Sequence, residues 1–200
     1  MPNPAPPTPA KATIKHKLRA HLRAKRQALS AADRAALDAR ICGQLLSTVL
    51  ETDRPSQAIA MFISHGGEPD LSALADRLVE SNRSVYCPVL DGQTLRFHRY
   101  HPGVAMTPNR YGIPEPVDQP SVAVGALDWV LMPLVGFSAT GTRLGMGGGF
   151  YDRTLAESDR RSPIKAGVAY SIQQVDALPS DAWDVSMDVV VTDRGALWVE

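Results

Sequence analysis

The residues with the clearest potential for chemistry lie between Arg143 and Arg153, in the segment RLGMGGGFYDR. Its closely spaced glycines would let backbone amides approach an anion with no Cβ in the way. A helix predicted to begin near Phe150 would add free amides and partial positive charge, and the two arginines stay protonated. Asp152, in the first turn of that helix, could hold a magnesium ion against phosphates. The segment therefore indicates a loop that binds the phosphates of a nucleotide.

The same loop also has a purely structural interpretation. It is not a Walker A motif, because no Gly-Lys-Ser/Thr follows, and it is not the dinucleotide fingerprint, because Phe150 occupies the last glycine position. A glycine cluster often forms only a tight turn, and Asp152 could simply complement a helix dipole. The loop by itself leaves both interpretations open.

A longer pattern around the loop resembles the signature of the 5-formyltetrahydrofolate cyclo-ligase family. The resemblance covers residues 133–155, PLVGFSATGTRLGMGGGFYDRTL. Weaker similarities follow the order of the family: KHKLR at 15–19, Glu68 after the first predicted strand, then YGIPEP and a final DVSMDVVVTD. Together these pieces span nearly all of the chain after its first dozen residues.

The resemblance implies that ATP is the co-substrate and Mg²⁺ the cofactor. By similarity, Lys15 and Arg19 would contact the ATP phosphates. Arg143 and Asp152 are expected to be catalytic, and Asp152 and Asp184 are expected to offer Mg²⁺ the hard oxygen ligands it prefers. For Asp184, a role as a turn former stays open. The other expected contacts to ATP come from the loop: Arg143, Leu144, Gly145, Met146, Gly147, Gly148, Gly149, Phe150 and Tyr151.

The second implied ligand is a reduced folate. Glu68 aligns with the folate-binding acid of the family, and a carboxylate can accept paired hydrogen bonds from the aminopyrimidinone edge of a pterin. Tyr151 is expected to contact the same substrate. The implied reaction is the cyclisation of 5-formyltetrahydrofolate to 5,10-methenyltetrahydrofolate: ATP phosphorylates the formyl oxygen, N10 attacks, and ADP and phosphate are released.

Two other functions stay open. A paralogue could keep the ATP site and act on a different amide-like metabolite, or serve as a nucleotide-binding regulator. The cationic run from Lys15 to Arg26 could bind nucleic acid. However, the formal net charge is zero and no RNA-binding motif is present, so we expect small-molecule substrates and no nucleic-acid partner.

The first elements that must position these residues are two helices. Residues 1–12, which are rich in proline, are expected to form a flexible tail. Leu18 and Leu22 belong to a four-residue apolar repeat that predicts an amphipathic helix from Thr13 onward. Ser30 can cap a second helix that ends near Leu50.

Strand-length apolar runs alternate with helical patterns in the rest of the chain. The 102–125 stretch, rich in proline and glycine, is predicted to be a surface loop. The alternation predicts an α/β fold with a mostly parallel sheet. The resemblance implies a single three-layer catalytic domain over 13–200, similar to the sugar-phosphate isomerase and CoA-transferase superfamily. The predicted strands cover 58–63, 84–90, 94–101, 129–137, 165–170 and 187–192, and the later helices cover 71–80 and 150–157.

The composition is that of a globular protein, with 44% hydrophobic and 21% charged residues, and its length favours one domain. Cys42 and Cys87 lie in apolar patterns, which favours two reduced thiols in a reducing compartment. The N-terminus lacks the apolar core of a signal peptide, and no apolar run is long enough to cross a bilayer. We therefore expect a cytoplasmic protein with no membrane partner that acts as a monomer.

Overall fold

Two long helices open the part of the chain that the computed structural model describes, which comprises residues 9–53, 56–156 and 163–199. Helix α1 spans Pro9–Gln27 and helix α2 spans Ala31–Leu50. Ser30 caps α2 as predicted, because its hydroxyl accepts a hydrogen bond from the Asp33 amide at 3.1 Å. The two helices are therefore separated by only a short connection with a defined cap.

Helix α1 begins at Pro9 rather than Thr13, so the predicted tail is wrong for residues 9–12. Proline is tolerated in the first helical turn, where its missing amide costs no helical hydrogen bond. Lys11 also ties this turn to the C-terminal part of the chain, since its ammonium group donates to the Ser180 carbonyl at 3.0 Å. Residues 1–8 of the predicted tail lie outside the described residues.

The remaining elements alternate between strands and two shorter helices, α3 (Ser72–Glu80) and α4 (Phe150–Ala156). The predicted end of the last helix, Glu157, lies outside the described residues. The strands of the described residues are β1 (Ala58–Ala60), β2 (Ser84–Asp91), β3 (Thr94–Tyr100), β4 (Met106–Pro108), β5 (Pro114–Pro116), β6 (Ser121–Val122), β7 (Trp129–Pro133), β8 (Gly136–Phe137), β9 (Arg143–Leu144), β10 (Ile164–Val168), β11 (Val189–Thr192) and β12 (Gly195–Trp198).

One eight-stranded sheet forms the centre of the fold, in the order β12-β11-β10-β7-β1-β2-β3-β6. The strands from β11 to β2 run parallel to their neighbours. The outer strands β12, β3 and β6 pair in the antiparallel sense. The mostly parallel sheet that the sequence predicts is confirmed.

The sheet is buried on both faces, as parallel sheets usually are. Successive residues of β7 point to opposite faces: Trp129 and Leu131 pack into the core beneath α2 and α3, whereas Val130 and Met132 pack into the core that includes Leu155 of α4. Helix α1 packs instead against β8 and the short 3₁₀ turn at Ser171–Gln173. These layers confirm the predicted three-layer arrangement.

The strand predicted over 129–137 is two elements rather than one. Strand β7 ends at Pro133, whose lack of an amide weakens further pairing, and β8 pairs with β9 instead. Gly136 allows α1 to pack closely against β8, because a Cβ at this position would lie 2.5 Å from Cδ1 of Leu22 in α1. The glycine loop is therefore preceded by a short strand at Arg143–Leu144, which fixes where its backbone begins to turn.

Other predicted boundaries differ where the chain leaves the sheet. The 102–125 stretch, predicted as a loop, holds the hairpin β4–β5 and the edge strand β6. The strand predicted over 58–63 stops at Ala60, and Phe62 and Ile63 line a cavity instead. Strand β12, which the sequence pattern did not predict, completes the other edge. Within the described part of the chain, no helix combines the length and apolar character of a membrane span.

Candidate functional site

A cavity of about 1280 Å³ opens beyond the carboxyl ends of β1 and β7, the expected place for a ligand site in a parallel sheet. It lies between α1, the loop after β1, the hairpin β4–β5 and the segment that follows β9. Its wall contains every residue predicted for the site: Lys15, Arg19, Glu68, Arg143, Leu144, Gly145, Met146, Gly147, Gly148, Gly149, Phe150, Tyr151, Asp152 and Asp184.

The glycine loop turns through conformations that side chains rarely adopt. Gly147 and Gly149 have φ values of 104° and 67°, in the left-handed region that favours glycine. Nε of Arg19 donates to the Gly145 carbonyl at 2.8 Å, and Nη2 of Arg153 donates to the Gly148 carbonyl at 2.6 Å. Arginines from two helices therefore hold the loop from both ends, and the glycines leave its backbone open toward the cavity.

The two residues predicted to be catalytic form an ion pair. Nη2 of Arg143 donates to Oδ1 of Asp152 in a very short contact, and the same oxygen accepts the Val185 amide at 3.1 Å. Oδ2 of Asp152 accepts no hydrogen bond from the residues that the structure describes. The pair keeps both side chains in the cavity wall and leaves one carboxylate oxygen available.

Lys15 joins α1 to the loop that precedes β11. Its ammonium group lies 2.7 Å from Oδ2 of Asp181 and 2.7 Å from Oδ2 of Asp184. Burial lowers the pKa of Lys15, but hydrogen bonds to the two carboxylates outweigh this effect and raise it overall. The hydrogen bond from Lys15 lowers the pKa of Asp181. Lys15 is therefore charged and forms an ion pair with Asp184 in the cavity wall.

Glu68 lies at the other side of the cavity, in the loop between β1 and α3. Its carboxylate accepts the His65 amide at 3.2 Å, and only 6% of the residue is exposed. Burial raises the pKa of Glu68 to about 7, although the charge of Arg26 opposes the rise. A carboxyl group in this state changes its charge near neutral pH.

Tyr151 and Phe150 begin α4 at the cavity wall. Burial raises the pKa of the Tyr151 hydroxyl well above its usual range, so the hydroxyl stays protonated and can donate a hydrogen bond. The Phe150 ring stands edge-on to Tyr111, with 6.0 Å between centroids, and the guanidinium of Arg153 lies 5.3 Å from its centroid. Tyr111 belongs to the β4–β5 hairpin, so this hairpin completes the rim of the site.

The structure brings the predicted site residues together, but it also adds some that the sequence pattern missed. Asp181 shares Lys15 with Asp184, and Tyr111 covers Phe150. The only local signal for Asp181 was an acidic residue three positions before Asp184. Among the described residues, no group of three or more His, Cys, Asp or Glu side chains could hold a metal ion.

Sequence comparison identifies relatives along most of the chain. Residues 11–193 match the model of the 5-formyltetrahydrofolate cyclo-ligase family. A 5-formyltetrahydrofolate cyclo-ligase from Haemophilus influenzae is 44% identical over 144 residues, which covers 69% of this chain and 77% of that protein. One from Escherichia coli K12 is 39% identical over 158 residues, which covers 75% of this chain and 87% of that protein.

Solved structures agree with the sequence relatives. The NMR structure of Aquifex aeolicus 5,10-methenyltetrahydrofolate synthetase superposes with a TM-score of 0.81 at 31% identity, over 94% of this chain and 93% of that one. A 5,10-methenyltetrahydrofolate synthetase from Mycoplasma pneumoniae gives a TM-score of 0.73 at 27% identity, over 90% and 98% of the chains. The fold, the cavity and these matches agree, and the chain belongs to the 5-formyltetrahydrofolate cyclo-ligase family.

Proposed function

We propose that the chain cyclises 5-formyltetrahydrofolate to 5,10-methenyltetrahydrofolate, with ATP converted to ADP and phosphate. The observation that carries the proposal is a continuous cavity of about 1280 Å³ whose wall contains both Glu68 and the loop from Arg143 to Gly149. Pockets for one small ligand usually have about 300–1,000 Å³, so this cavity has room for two ligands side by side. The reaction needs that arrangement, because the γ-phosphate and the formyl oxygen must meet.

ATP would occupy the side of the cavity that the glycine loop forms. The open backbone at Gly147 and Gly149 can approach phosphates closely, and Lys15, Arg19 and Arg143 supply the positive charge that a triphosphate attracts. Lys15 already forms an ion pair with Asp184. When ATP binds, the Lys15 ammonium group would exchange a carboxylate partner for a phosphate without leaving the cavity wall. These contacts favour ATP over an uncharged co-substrate.

The residues present fit a magnesium ion that arrives with ATP. Asp152 and Asp184 each use one oxygen for an ion pair, and the second oxygen of each accepts no hydrogen bond from the described residues. Mg²⁺ is commonly held by one or two protein carboxylates together with phosphate oxygens and water. When bound, the ion would neutralise charge on the phosphates. The two carboxylates would orient it, while Arg143 and Lys15 hold them in place.

The folate would occupy the side of the cavity that contains Glu68. In its ionised form Glu68 can accept paired hydrogen bonds from the pterin edge, and Phe62 and Tyr151 can cover the faces of the ring. The protonated Tyr151 hydroxyl is a donor available to a substrate oxygen. This placement would direct the formyl group toward the glycine loop.

The chemistry then follows from activation of the formyl group. An N-formyl carbonyl is a poor electrophile, because N5 donates electrons into it. Transfer of the γ-phosphoryl group forms a bond between phosphorus and the formyl oxygen and breaks the bond to ADP. N10 attacks the activated carbon, and loss of phosphate and of the N10 proton closes the methenyl ring. Arg143, Lys15 and Arg19 would stabilise the negative charge that develops on the transferred group.

The test is to mix the purified protein with ATP, Mg²⁺ and 5-formyltetrahydrofolate and to follow the absorbance of the methenyl product. We expect product to form at a rate proportional to protein, with one ADP released for each ring closed. A folded protein that forms no product under these conditions would refute the proposal. We also propose that the active species is a monomer, which sedimentation velocity would test.

A further inference from the structure

The loop that contains Glu68 makes a sharp turn at two consecutive glycines. Gly66 and Gly67 have φ values of 59° and 82°, in the left-handed region that favours glycine. The Ser64 hydroxyl closes the turn by donating to the Glu68 carbonyl at 2.7 Å. The turn directs the carbonyl oxygens of both glycines at side chains of the first two helices. The direction of the Glu68 side chain therefore depends on what holds these two carbonyls.

Arg26 of α1 and the Arg34 side chain of α2 hold them. Nη2 of Arg26 donates to the Gly66 carbonyl at 2.8 Å, and Nη1 of Arg34 donates to the Gly67 carbonyl at 2.8 Å. Arg34 also donates to the Arg26 carbonyl at 3.3 Å, which links the two contacts. A Cβ on Gly67 would lie 2.5 Å from Nη1 of Arg34, so a side chain at this position would displace the Arg34 guanidinium from its contact.

Arg26 is an unusual donor for this position. It is 1% exposed, burial lowers its pKa, and it forms no ion pair with a carboxylate in the described part of the chain. Burying a charge without such a partner is costly. If the hydrogen bond to Gly66 had only a structural role, a neutral donor could form it at a lower cost. The charge of Arg26 acts on Glu68, where it opposes the rise in pKa that burial causes.

Arg34 makes the same kind of backbone contact without the same electrostatic effect. The charges that lower the pKa of Glu68 come from Arg26 and, to a smaller extent, from Arg23. Tyr151 of α4 also interacts with Glu68, because the charge of Glu68 contributes to the raised pKa of Tyr151. His65 contacts Glu68 through its backbone amide. Comparing Arg26 with Arg34 therefore separates the effect of holding the turn from the effect of a charge on the pKa of Glu68.

We propose that Arg26 and Arg34 are positioning residues for the reduced folate, which fix the Gly66–Gly67 turn and so direct the Glu68 carboxylate at the pterin. This role rests on the proposed function, because it takes Glu68 as the folate-binding group. Neither arginine is among the residues that line the cavity. Arg26 has a second effect, since its charge opposes the rise in pKa that burial causes at the neighbouring Glu68 carboxyl group.

The test compares Arg26→Gln with Arg34→Gln by steady-state kinetics across the neutral pH range. Each variant loses a hydrogen bond from a charged donor, so the KM for 5-formyltetrahydrofolate should rise about tenfold while the KM for ATP stays unchanged. In Arg26→Gln, the fall of the folate KM with pH should move to higher pH. In Arg34→Gln, the fall of the folate KM should occur at the same pH as in the wild type. Arg26→Lys, which keeps the charge, should keep the wild-type pH profile with a raised folate KM.

Parallel rises in both KM values would overturn the proposal, because they would mean general damage to α1, which also carries Lys15 and Arg19. Unchanged folate KM values in both glutamine variants would overturn it too. If Arg26→Gln does not fold, as judged by circular dichroism, the folate KM of Arg34→Gln and Arg26→Lys decides the question. A wild-type protein that forms no methenyl product would refute the proposed function itself, and the positioning role with it.

Discussion

The ammonium group of Lys15 lies 2.7 Å from Oδ2 of Asp184, although 169 positions separate the two residues in the sequence. The contact joins the first helix to the loop before β11 and closes one side of the cavity. A triphosphate would attract Lys15, and its metal ion would attract Asp184. At the ATP site that we propose, binding would have to share or open this ion pair, so a change at Lys15 should affect the KM for ATP more than the KM for folate.

Replacing Lys15 by methionine should raise the KM for ATP about tenfold or more, because a charged donor to the phosphates is lost while the apolar stem is kept. The KM for 5-formyltetrahydrofolate should change little. Lys11→Met is the matched control. Lys11 lies on the same helix as Lys15, its ammonium group is 3.5 Å from Oδ1 of Asp181, and its side chain is more exposed than that of Lys15. Equal effects of the two substitutions on the KM for ATP would contradict the assignment of Lys15.

Replacing Asp152 by asparagine should lower kcat about 100-fold or more, because the carboxylate that pairs with Arg143, and that we propose to orient the metal, loses its charge. Circular dichroism and thermal melting should show a folded protein. Asp188→Asn is the control: Asp188 also forms an ion pair, with Lys165 at 2.9 Å, but it lies outside the cavity wall. A wild-type kcat in Asp152→Asn, measured from the methenyl absorbance, would show that the loop is misassigned.

The KM for 5-formyltetrahydrofolate should fall as pH rises through about 7, the value to which burial raises the pKa of Glu68. Below this pH the carboxyl group is protonated and cannot accept two hydrogen bonds from the pterin, and above it the carboxylate can. Glu68→Gln should raise the KM and remove the pH dependence in this range. Glu115→Gln, which changes another acid in the cavity wall, should keep it. A pH dependence that persists in Glu68→Gln would exclude Glu68 as its source.

Replacing Gly149 by alanine should raise the KM for ATP, because the new Cβ would lie 2.7 Å from Nη1 of Arg153 and displace the guanidinium that donates to the Gly148 carbonyl of the loop. Gly92→Ala is the matched control. Gly92 has a φ of 61°, close to the 67° of Gly149, but its Cβ would meet open space. Both variants should lose roughly 1 kcal/mol of stability from left-handed strain. Only Gly149→Ala should weaken ATP binding, and equal KM values for ATP would argue against a close approach of phosphates to this loop.

Local sequence spacing predicted much of the fold and of the site. The apolar repeat of the helices depends on neighbours three and four residues away, so the helical pattern from Thr13 onward and the Ser30 cap were predicted correctly. Strand boundaries were less accurate, because pairing partners decide them. The single strand predicted over 129–137 ends at Pro133, because the residues that follow pair with β9 as the separate strand β8.

The sequence by itself determined the mostly parallel α/β fold, the family and the glycine loop, since these depend on periodicity, on a run of adjacent residues and on motifs in a fixed order. Only the tertiary structure decided how the charged side chains are paired. Among the many cations of α1, contacts with distant segments select Lys15 for Asp181 and Arg26 for the Gly66 carbonyl. Such contacts form between segments that folding brings together, so no local pattern encodes them. The same burial that joins these segments also raises the pKa of Glu68 to about 7.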